Sequence, residues 1–167
     1  MDEQTMREIE MMEEEFLAQY DSSQYEKPSV TVDVLIFNRQ EKGWELLLVK
    51  RKNHPFQGKW ALPGGFINMD ENLEDTAYRE LMEETGLDGR KEKIPLKQLG
   101  AYGDVGRDPR GRTITVVYVA ILEKVDLIVK AADDATDARW FPVDKLPPLA
   151  FDHDRILEDG KKILAEL

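Results

Sequence analysis

The chain has 167 residues, a length that fits one domain with a core on both faces of a sheet. Its 23 Lys and Arg residues face 34 Asp and Glu residues, and the resulting net charge of −11 argues against direct binding to nucleic acid or to an anionic membrane. The absence of cysteine excludes disulfides and thiolate metal sites and is compatible with a reducing compartment, so we expect a cytoplasmic protein.

The first 27 residues are expected to form a helical extension of a domain that spans residues 28–167. Residues 2–19 are rich in Glu and Met and lack Gly and Pro, a composition that favours a helix, and a polar segment before Pro28 ends it. Two interpretations of this helix remain open, a solvated acidic appendage or a dimer arm or lid.

Aliphatic and β-branched segments in the first half of the chain predict strands. Residues 30–37 and 44–50 are separated by a polar turn, which is typical of a β-hairpin. Residues 60–65, Trp-Ala-Leu-Pro-Gly-Gly, predict a short strand that runs into a tight turn. A helix is expected over 72–84 and should end at Gly86, because glycine suits a left-handed C-terminal cap.

The second half of the chain predicts further strands at 96–102, 113–122 and 137–141, and the second of these is nearly all β-branched or aliphatic, as in a central strand. The longest apolar run, 116–122, is far too short to span a bilayer. An amphipathic helix follows at about 152–166. Helices that cover both faces of one sheet predict an α/β fold with three α/β/α layers. The stripe of the last helix comprises Ile156, Ile163, Leu164 and Leu167.

The helix at 72–84 carries carboxylates at i, i+3 and i+4 positions, namely Glu80, Glu83 and Glu84, so it can present three oxygen ligands to a divalent cation. Glu84 continues the inward stripe of this helix and Glu80 lies at the rim of that stripe. Clustered like charges either raise a pKa or capture a cation, and Mg²⁺ suits such oxygens best. The alternative is a solvated Glu-rich face with Arg79 and Glu83 as an i, i+4 pair.

The segment from Gly65 to Leu87 resembles the signature motif of the Nudix hydrolases. Because several independent positions agree at fixed spacing, the resemblance is specific. The matching residues are Gly65, Glu71 after five residues, Arg79-Glu80-Leu81 after seven more, Glu83-Glu84 after one more, and Gly86-Leu87 after another one.

The resemblance implies a Nudix sandwich with a mixed sheet, and it implies that a metal-activated water cuts the diphosphate bond of a nucleoside diphosphate linked to another group. It also implies a homodimer, since family members commonly dimerise. The implied ligands of Mg²⁺ or Mn²⁺ are the carboxylates of Glu80, Glu83 and Glu84 and the backbone carbonyl of Gly64.

Two further roles follow from the same resemblance. Arg79 is expected to orient Glu83 or the loop without touching a phosphate. The general base is either a glutamate of the motif or a carboxylate of a downstream loop, and Asp133 and Asp134 are the loop candidates. Those two residues are equally compatible with a solvated turn.

A glycine-rich segment at 103–112 carries Arg107, Arg110 and Arg112 between two predicted strands. Glycine lets a phosphate approach the backbone, and the guanidinium fork matches phosphate and ribose oxygens, so the segment indicates substrate binding. A charged hairpin turn is the alternative. Arg51, at the end of a strand near the motif, offers one more phosphate contact, whereas His54 and His153 are assigned no role.

Residues 28–33, 59–66, 103–112 and 133–156 resemble one Nudix subgroup, the ADP-ribose pyrophosphatases and the ADP-ribose-sensing domains of transcriptional regulators of NAD metabolism. The resemblance implies ADP-ribose as the ligand, cut to AMP and ribose 5-phosphate, and adds Phe66 and Asp108 to the expected substrate-binding residues.

The substrate is less closely fixed than the reaction. A proline marks many ADP-ribose hydrolases roughly sixteen residues after the motif, and Gly103 stands there in this chain. Hydrolysis of a nucleoside triphosphate or a dinucleoside polyphosphate therefore stays open. So does a non-catalytic ADP-ribose sensor within a longer regulator.

Overall fold

The computed structural model describes residues 2–132 and 135–167. Over these ranges the helices are α1 Glu3–Gln19, α2 Leu73–Thr85 and α3 His153–Ala165, and a 3₁₀ turn covers Ser22–Gln24. The strands are β1 Ser29–Gln40, β2 Gly43–Arg51, β3 Trp60–Ala61, β4 Gly64–Phe66, β5 Lys97–Tyr102, β6 Thr113–Glu123 and β7 Ala135–Pro142.

The strands build one mixed sheet. Its order is β3-β2-β1-β6-β5, with β4 paired to β1 and β7 paired to β2. β1 and β6 run parallel, from Ser29 opposite Thr113 to Arg39 opposite Glu123. The other pairs are antiparallel, among them the predicted β1–β2 hairpin. β6 lies between β1 and β5, so its predicted central position is confirmed.

Strand β1 is buried on both faces and separates two cores. Val32, Val34 and Ile36 pack on one face in the same cluster as residues of α2, and Leu35 and Phe37 pack on the other face with residues of α3. This period of two follows from the strand pleat, and each buried aliphatic or aromatic side chain stabilises the fold by roughly 1.5–3 kcal/mol. The result is the predicted arrangement of helix, sheet and helix.

Glycines shape both helices that cover the sheet. Gly86 ends α2 with a left-handed φ of 68°, as expected, and donates its N–H to the Met82 carbonyl oxygen at 2.9 Å. A Cβ on Gly160 would lie 2.2 Å from Leu35 Cδ2, so glycine lets α3 approach the sheet closely. The expected stripe of α3 was wrong at Leu167, which lies beyond the end of the helix and is 74% exposed.

Helix α1 forms as predicted and contains no buried residue. The carboxylate of Asp2 caps it by accepting the N–H of Thr5 at 2.8 Å. Apolar side chains of this helix, including Met12 and Phe16, are exposed. Within residues 2–132 and 135–167, no helix combines the length and apolar character needed to cross a membrane.

Candidate active site

Two glycines bring β4 into close contact with β1 and α2. Gly64 lies opposite Asp33 in the antiparallel pairing of β4 with β1. A Cβ on Gly64 would lie 2.3 Å from the Val32 carbonyl oxygen, and one on Gly65 would lie 2.5 Å from Glu80 Oε1. Only glycine permits this approach, which places the Gly64 backbone beside the carboxylates of α2.

Arg79 is the centre of a hydrogen-bond network within the motif. Its Nε and Nη2 donate to the two carboxylate oxygens of Glu71 at 2.8 and 3.0 Å. Nη1 donates to Glu80 Oε1 at 2.7 Å and to Glu83 Oε2 at 3.0 Å, and Nη2 donates to the Phe66 carbonyl oxygen at 3.0 Å. The hydrogen bonds from Arg79 lower the pKa of Glu71 to about 2. One guanidinium thus fixes both the helix carboxylates and the loop before them.

Glu84 and Glu80 are held where a negative charge is unfavourable. Glu84 Oε2 accepts the Gly64 N–H at 2.9 Å, yet burial raises the pKa of Glu84 to about 8, and the charges of Glu80 and Asp33 add to that rise. Burial also raises the pKa of Glu80, although Arg79 opposes the shift. Burial is the largest cause of both shifts, and the pKa of Glu84 shifts further because the hydrogen bond and the charge of Arg79 offset burial at Glu80.

The carboxylates suit a divalent cation in their chemistry but are not yet arranged around one. Within residues 2–132 and 135–167, no three Asp, Glu, His or Cys side chains are grouped so that they could hold a metal ion as they stand. Glu80 and Glu83 bind Arg79 instead, and Glu84 binds the Gly64 N–H. Burial and neighbouring negative charge nevertheless raise the pKa values of Glu80 and Glu84. A hard cation bound to their oxygens would offset that unfavourable charge.

Arginines and aromatic rings meet the carboxylates in the same cleft, which has a volume of about 410 Å³. Arg110 binds both oxygens of buried Asp108 at 3.1 and 2.8 Å, and its guanidinium lies 4.9 Å from the centre of the Phe66 ring. Arg51 lies 4.9 Å from the centre of the Phe151 ring. Burial lowers the pKa of Arg51, and the positive charge of Arg110 lowers it further. Two cations held close together favour an anionic ligand between them.

The three arginines of the 103–112 segment are placed differently. Arg107 lines the cleft, but its side chain is only 4% exposed and its guanidinium forms a bidentate pair with Asp152 at 3.0 and 2.7 Å. Arg110 also lines the cleft, and its side chain is 43% exposed. Arg112 does not line the cleft, because it donates to the Gly103 carbonyl oxygen across the base of the segment. Arg110 is therefore the arginine of this segment best placed to meet a ligand.

The NUDIX domain model matches residues 27–160 of the chain. The chain belongs to the Nudix family. It is 44% identical over 135 residues to the ADP-ribose pyrophosphatase of Methanocaldococcus jannaschii, a match that covers 81% of this chain and 74% of the relative. Nudix proteins typically use a divalent metal ion.

Two further similarities concern regulators. The chain is 37% identical over 152 residues to the ADPR responsive transcriptional repressor NtrR of Acinetobacter baylyi, which covers 89% of this chain and 59% of the repressor's length. The solved NUDIX domain of Shewanella oneidensis NrtR complexed with ADP ribose superimposes with a TM-score of 0.81 at 37% identity, covering 91% of this chain and 98% of that one.

Most residues predicted from the sequence meet in one place. Asp134, and Asp133 beside it, lie outside the described residues, and Arg112 lies away from the cleft. The remaining predicted site residues line the cleft, namely Gly64, Arg79, Glu80, Glu83, Glu84, Arg51, Phe66, Arg107, Asp108 and Arg110.

Phe151, Asp33 and His153 are among the residues that line the cleft but were not predicted as site residues from the sequence. Phe151 packs on Phe56 with ring centres 4.7 Å apart, and both have left-handed φ values, 52° and 57°. Such conformations in non-glycine residues concentrate at functional sites. Asp33 and His153 are buried charged or polar residues that line the cleft. A carboxylate inside the otherwise apolar run of β1 was the one available signal for Asp33.

Proposed function

We propose that this Nudix protein hydrolyses the diphosphate bond of ADP-ribose to AMP and ribose 5-phosphate in the presence of Mg²⁺ or Mn²⁺. The observation that carries the proposal is that three acidic residues of α2 and three arginines from outside that helix line one cleft. A diphosphate needs cationic groups to bind it and a metal-binding carboxylate set to cut it, and this cleft combines both. The 44% identity to an ADP-ribose pyrophosphatase supports ADP-ribose over other nucleotides.

Glu80, Glu83, Glu84 and the carbonyl oxygen of Gly64 would hold the cation. The bound cation would lower the pKa of a water molecule and neutralise charge that develops on the phosphorus oxygens. Arg79 would keep Glu80 and Glu83 in place from behind, since it already binds both. Substitution of Arg79 therefore affects the site although Arg79 binds no phosphate in this scheme.

The base that takes the proton from the attacking water is assigned to the carboxylates of the motif or to Asp134. Glu83 is the most accessible of the three carboxylates bound to Arg79, with 43% of its side chain exposed against 15% for Glu71 and 12% for Glu80. A general base must reach the water in the cleft, so exposure favours Glu83. Asp134 stays the second candidate.

The arginines and rings would hold the substrate. Arg110 and Arg51 would bind diphosphate or ribose oxygens, because both line the cleft and both guanidiniums lie against phenylalanine rings that limit their motion. Asp108 would act indirectly by fixing the Arg110 fork. Phe66, which is 45% exposed, offers a ring face to the ligand.

A nucleotide panel tests the substrate assignment. Wild-type protein with Mg²⁺ is incubated with ADP-ribose, a nucleoside triphosphate and a dinucleoside polyphosphate, and kcat/KM is measured for each, since only this ratio defines specificity. We expect the highest value for ADP-ribose, with AMP and ribose 5-phosphate in equal amounts. A higher kcat/KM for another nucleotide would show that the cleft serves a different Nudix substrate.

A second candidate function is ADP-ribose sensing without turnover. It is favoured by the 37% identity to an ADPR responsive repressor and by the likeness to a NUDIX domain complexed with ADP ribose. Calorimetry of ADP-ribose binding beside the AMP assay separates the two functions. Tight binding without AMP release in Mg²⁺ or Mn²⁺ would establish sensing, whereas release of AMP would establish the enzyme.

A further inference from the structure

Two consecutive residues at the start of α3 contact two different parts of the cleft. Asp152 accepts both hydrogen bonds of the Arg107 fork, which belongs to the arginine-rich segment. His153 Nδ1 accepts the N–H of Leu62 at 3.0 Å, in the connection between β3 and β4. One helix end therefore contacts both the arginine-rich segment 103–112 and the chain that leads into Gly64.

The geometry of His153 defines its tautomer. A ring nitrogen that accepts a backbone N–H carries no proton, so the proton of the neutral ring lies on Nε2. Nε2 faces Asp33 Oδ1 at 3.6 Å, and Asp33 Oδ2 accepts the hydroxyl of Thr115 at 2.6 Å. His153 is 3% exposed, and burial lowers its pKa although Asp33 and Asp152 oppose the shift. The imidazole is thus a neutral acceptor held in one orientation.

Hydrogen bonds fix the chain at three successive residues, Leu62, Pro63 and Gly64. His153 accepts the Leu62 N–H, the Val34 N–H donates to the Pro63 carbonyl oxygen at 2.8 Å, and Glu84 accepts the Gly64 N–H at 2.9 Å. His153 supplies the first of these three contacts from a side chain. A displacement at Leu62 would be passed on to Gly64, whose carbonyl belongs to the proposed cation site.

We propose that Asp152 and His153 are positioning residues, with Asp152 fixing the Arg107 segment that binds substrate and His153 fixing the Leu62–Gly64 turn that serves the cation. The proposal rests on the proposed function of the cleft for its kinetic measurements and on the proposed cation site for the Mn²⁺ affinity. Its other measurements, Mn²⁺ affinity and amide exchange, require no turnover.

The proposed role of His153 is tested by variants that keep or remove the hydrogen-bond acceptor at the Nδ1 position. His153→Asn places an amide oxygen where Nδ1 lies, whereas His153→Gln reaches toward the Nε2 position and His153→Phe offers no acceptor. We expect His153→Phe to weaken Mn²⁺ binding about tenfold or more and to speed exchange of the Leu62 amide. His153→Asn should stay within roughly threefold of wild type for both measurements, and His153→Gln should resemble His153→Phe.

The proposed role of Asp152 is tested against a matched control on the same helix end. Asp152→Asn and Asp154→Asn remove the same charge, but Asp154 is exposed, does not line the cleft, and accepts the N–H of Arg155 at 2.9 Å. We expect Asp152→Asn to raise KM for ADP-ribose about tenfold with little change in kcat, and Asp154→Asn to change neither. Equal effects of the two substitutions would overturn the role of Asp152, because they would reflect the charge of the helix end alone.

A merely structural role for His153 would lower the melting temperature while Mn²⁺ affinity and kcat stay at the wild-type level, and that result overturns the proposal. If His153→Phe fails to fold, the comparison of His153→Asn with His153→Gln decides, because His153→Asn should bind Mn²⁺ more tightly. Equal Mn²⁺ affinity of these two variants would overturn the role of His153. If wild type does not hydrolyse ADP-ribose, the proposed function fails, but Mn²⁺ affinity and Leu62 exchange still test the positioning role.

Discussion

The two halves of the cleft are built by different kinds of contact. In the carboxylate half, formed by the motif from Gly65 to Leu87, Arg79 reaches partners one, four and eight residues away. In the arginine half, formed by Arg51 and the segment 103–112, Arg110 has a local partner in Asp108, but Arg107 finds its partner Asp152 45 residues away and Arg51 lies against the ring of Phe151. The chemistry of the reaction is therefore encoded in a short stretch of sequence, whereas recognition of the substrate depends on the tertiary structure.

The two halves also differ in electrostatics. In the carboxylate half, burial raises the pKa of Glu80 and raises that of Glu84 to about 8, so these two carboxylates are prepared to take up a cation, whereas the hydrogen bonds from Arg79 lower the pKa of Glu71. In the arginine half the cations already have partners, since Asp108 pairs with Arg110 and Asp152 with Arg107. These pairs set the orientation of the guanidiniums before a ligand arrives, which limits the ordering cost of binding.

The largest effect should come from Glu83→Gln in the carboxylate half. The substitution removes a cation ligand and candidate base while it keeps the size of the side chain, so kcat for ADP-ribose should fall about 100-fold or more. Steady-state kinetics at saturating Mg²⁺ checks this. The control is Glu74→Gln on the exposed first turn of the same helix, which should leave kcat unchanged. Undiminished hydrolysis by Glu83→Gln would remove Glu83 from the catalytic machinery.

Arg79→Ala should lower the free energy of unfolding by about 2 kcal/mol, because it leaves the carboxylates of Glu71 and Glu80 without their main hydrogen-bond donor. Urea denaturation measures the change. Arg90→Ala is the matched comparison: Arg90 also pairs with a carboxylate of α2, that of Asp75, but both side chains are largely exposed, so the loss should stay below about 1 kcal/mol. Equal losses for the two variants would show that the Arg79 network is only a surface feature.

Substitutions in the arginine half should act mainly on KM for ADP-ribose. Arg110→Ala should raise KM for ADP-ribose about tenfold with a smaller change in kcat, because Arg110 lines the cleft beside Phe66. Arg112→Ala should change KM less than about twofold, since the Arg112 guanidinium contacts its own loop. The reverse ranking in a KM measurement would mean that the segment rearranges when substrate binds.

The smallest effect concerns acid stability. The folded-state pKa of Glu71, about 2, lies below its ordinary value of 4.5, so the folded protein binds fewer protons than the unfolded chain between these values. The contribution of Glu71 to the free energy of unfolding is complete above pH 4.5 and is lost as the pH falls toward 2. The stability difference between wild type and Glu71→Gln should therefore narrow over this range in urea titrations. A constant difference would contradict the assigned pKa.

The carboxylate half could be predicted from the sequence because its signals are local. Spacing placed the carboxylates on one helix, and the glycine at 86 marked its end, as the left-handed φ of 68° confirms. The sequence ranked Glu84 as the inward residue and Glu80 as the rim residue, but Glu80 is the less exposed. Helical periodicity ignores β4, whose backbone at Gly65 covers Glu80 in the folded chain.

The arginine half could be predicted only as a composition. Three arginines among glycines indicated a ligand, yet nothing local shows that Arg112 turns back to the Gly103 carbonyl or that Arg107 is sequestered by Asp152. His153 was assigned no role because a histidine without a motif is more often a surface or packing residue than a catalyst. Its contact with the Leu62 N–H joins residues 91 positions apart, and only the folded sheet reveals it.

Hydrolysis of ADP-ribose is tested most directly by measuring AMP release by wild type and Glu83→Gln in parallel, with Mg²⁺ present and with ADP-ribose binding measured on the same samples. We expect wild type to release AMP and ribose 5-phosphate in equal amounts, and we expect Glu83→Gln still to bind ADP-ribose but to release AMP about 100-fold more slowly. Tight binding by wild type without AMP release, in Mg²⁺ and in Mn²⁺, would contradict the proposed hydrolysis.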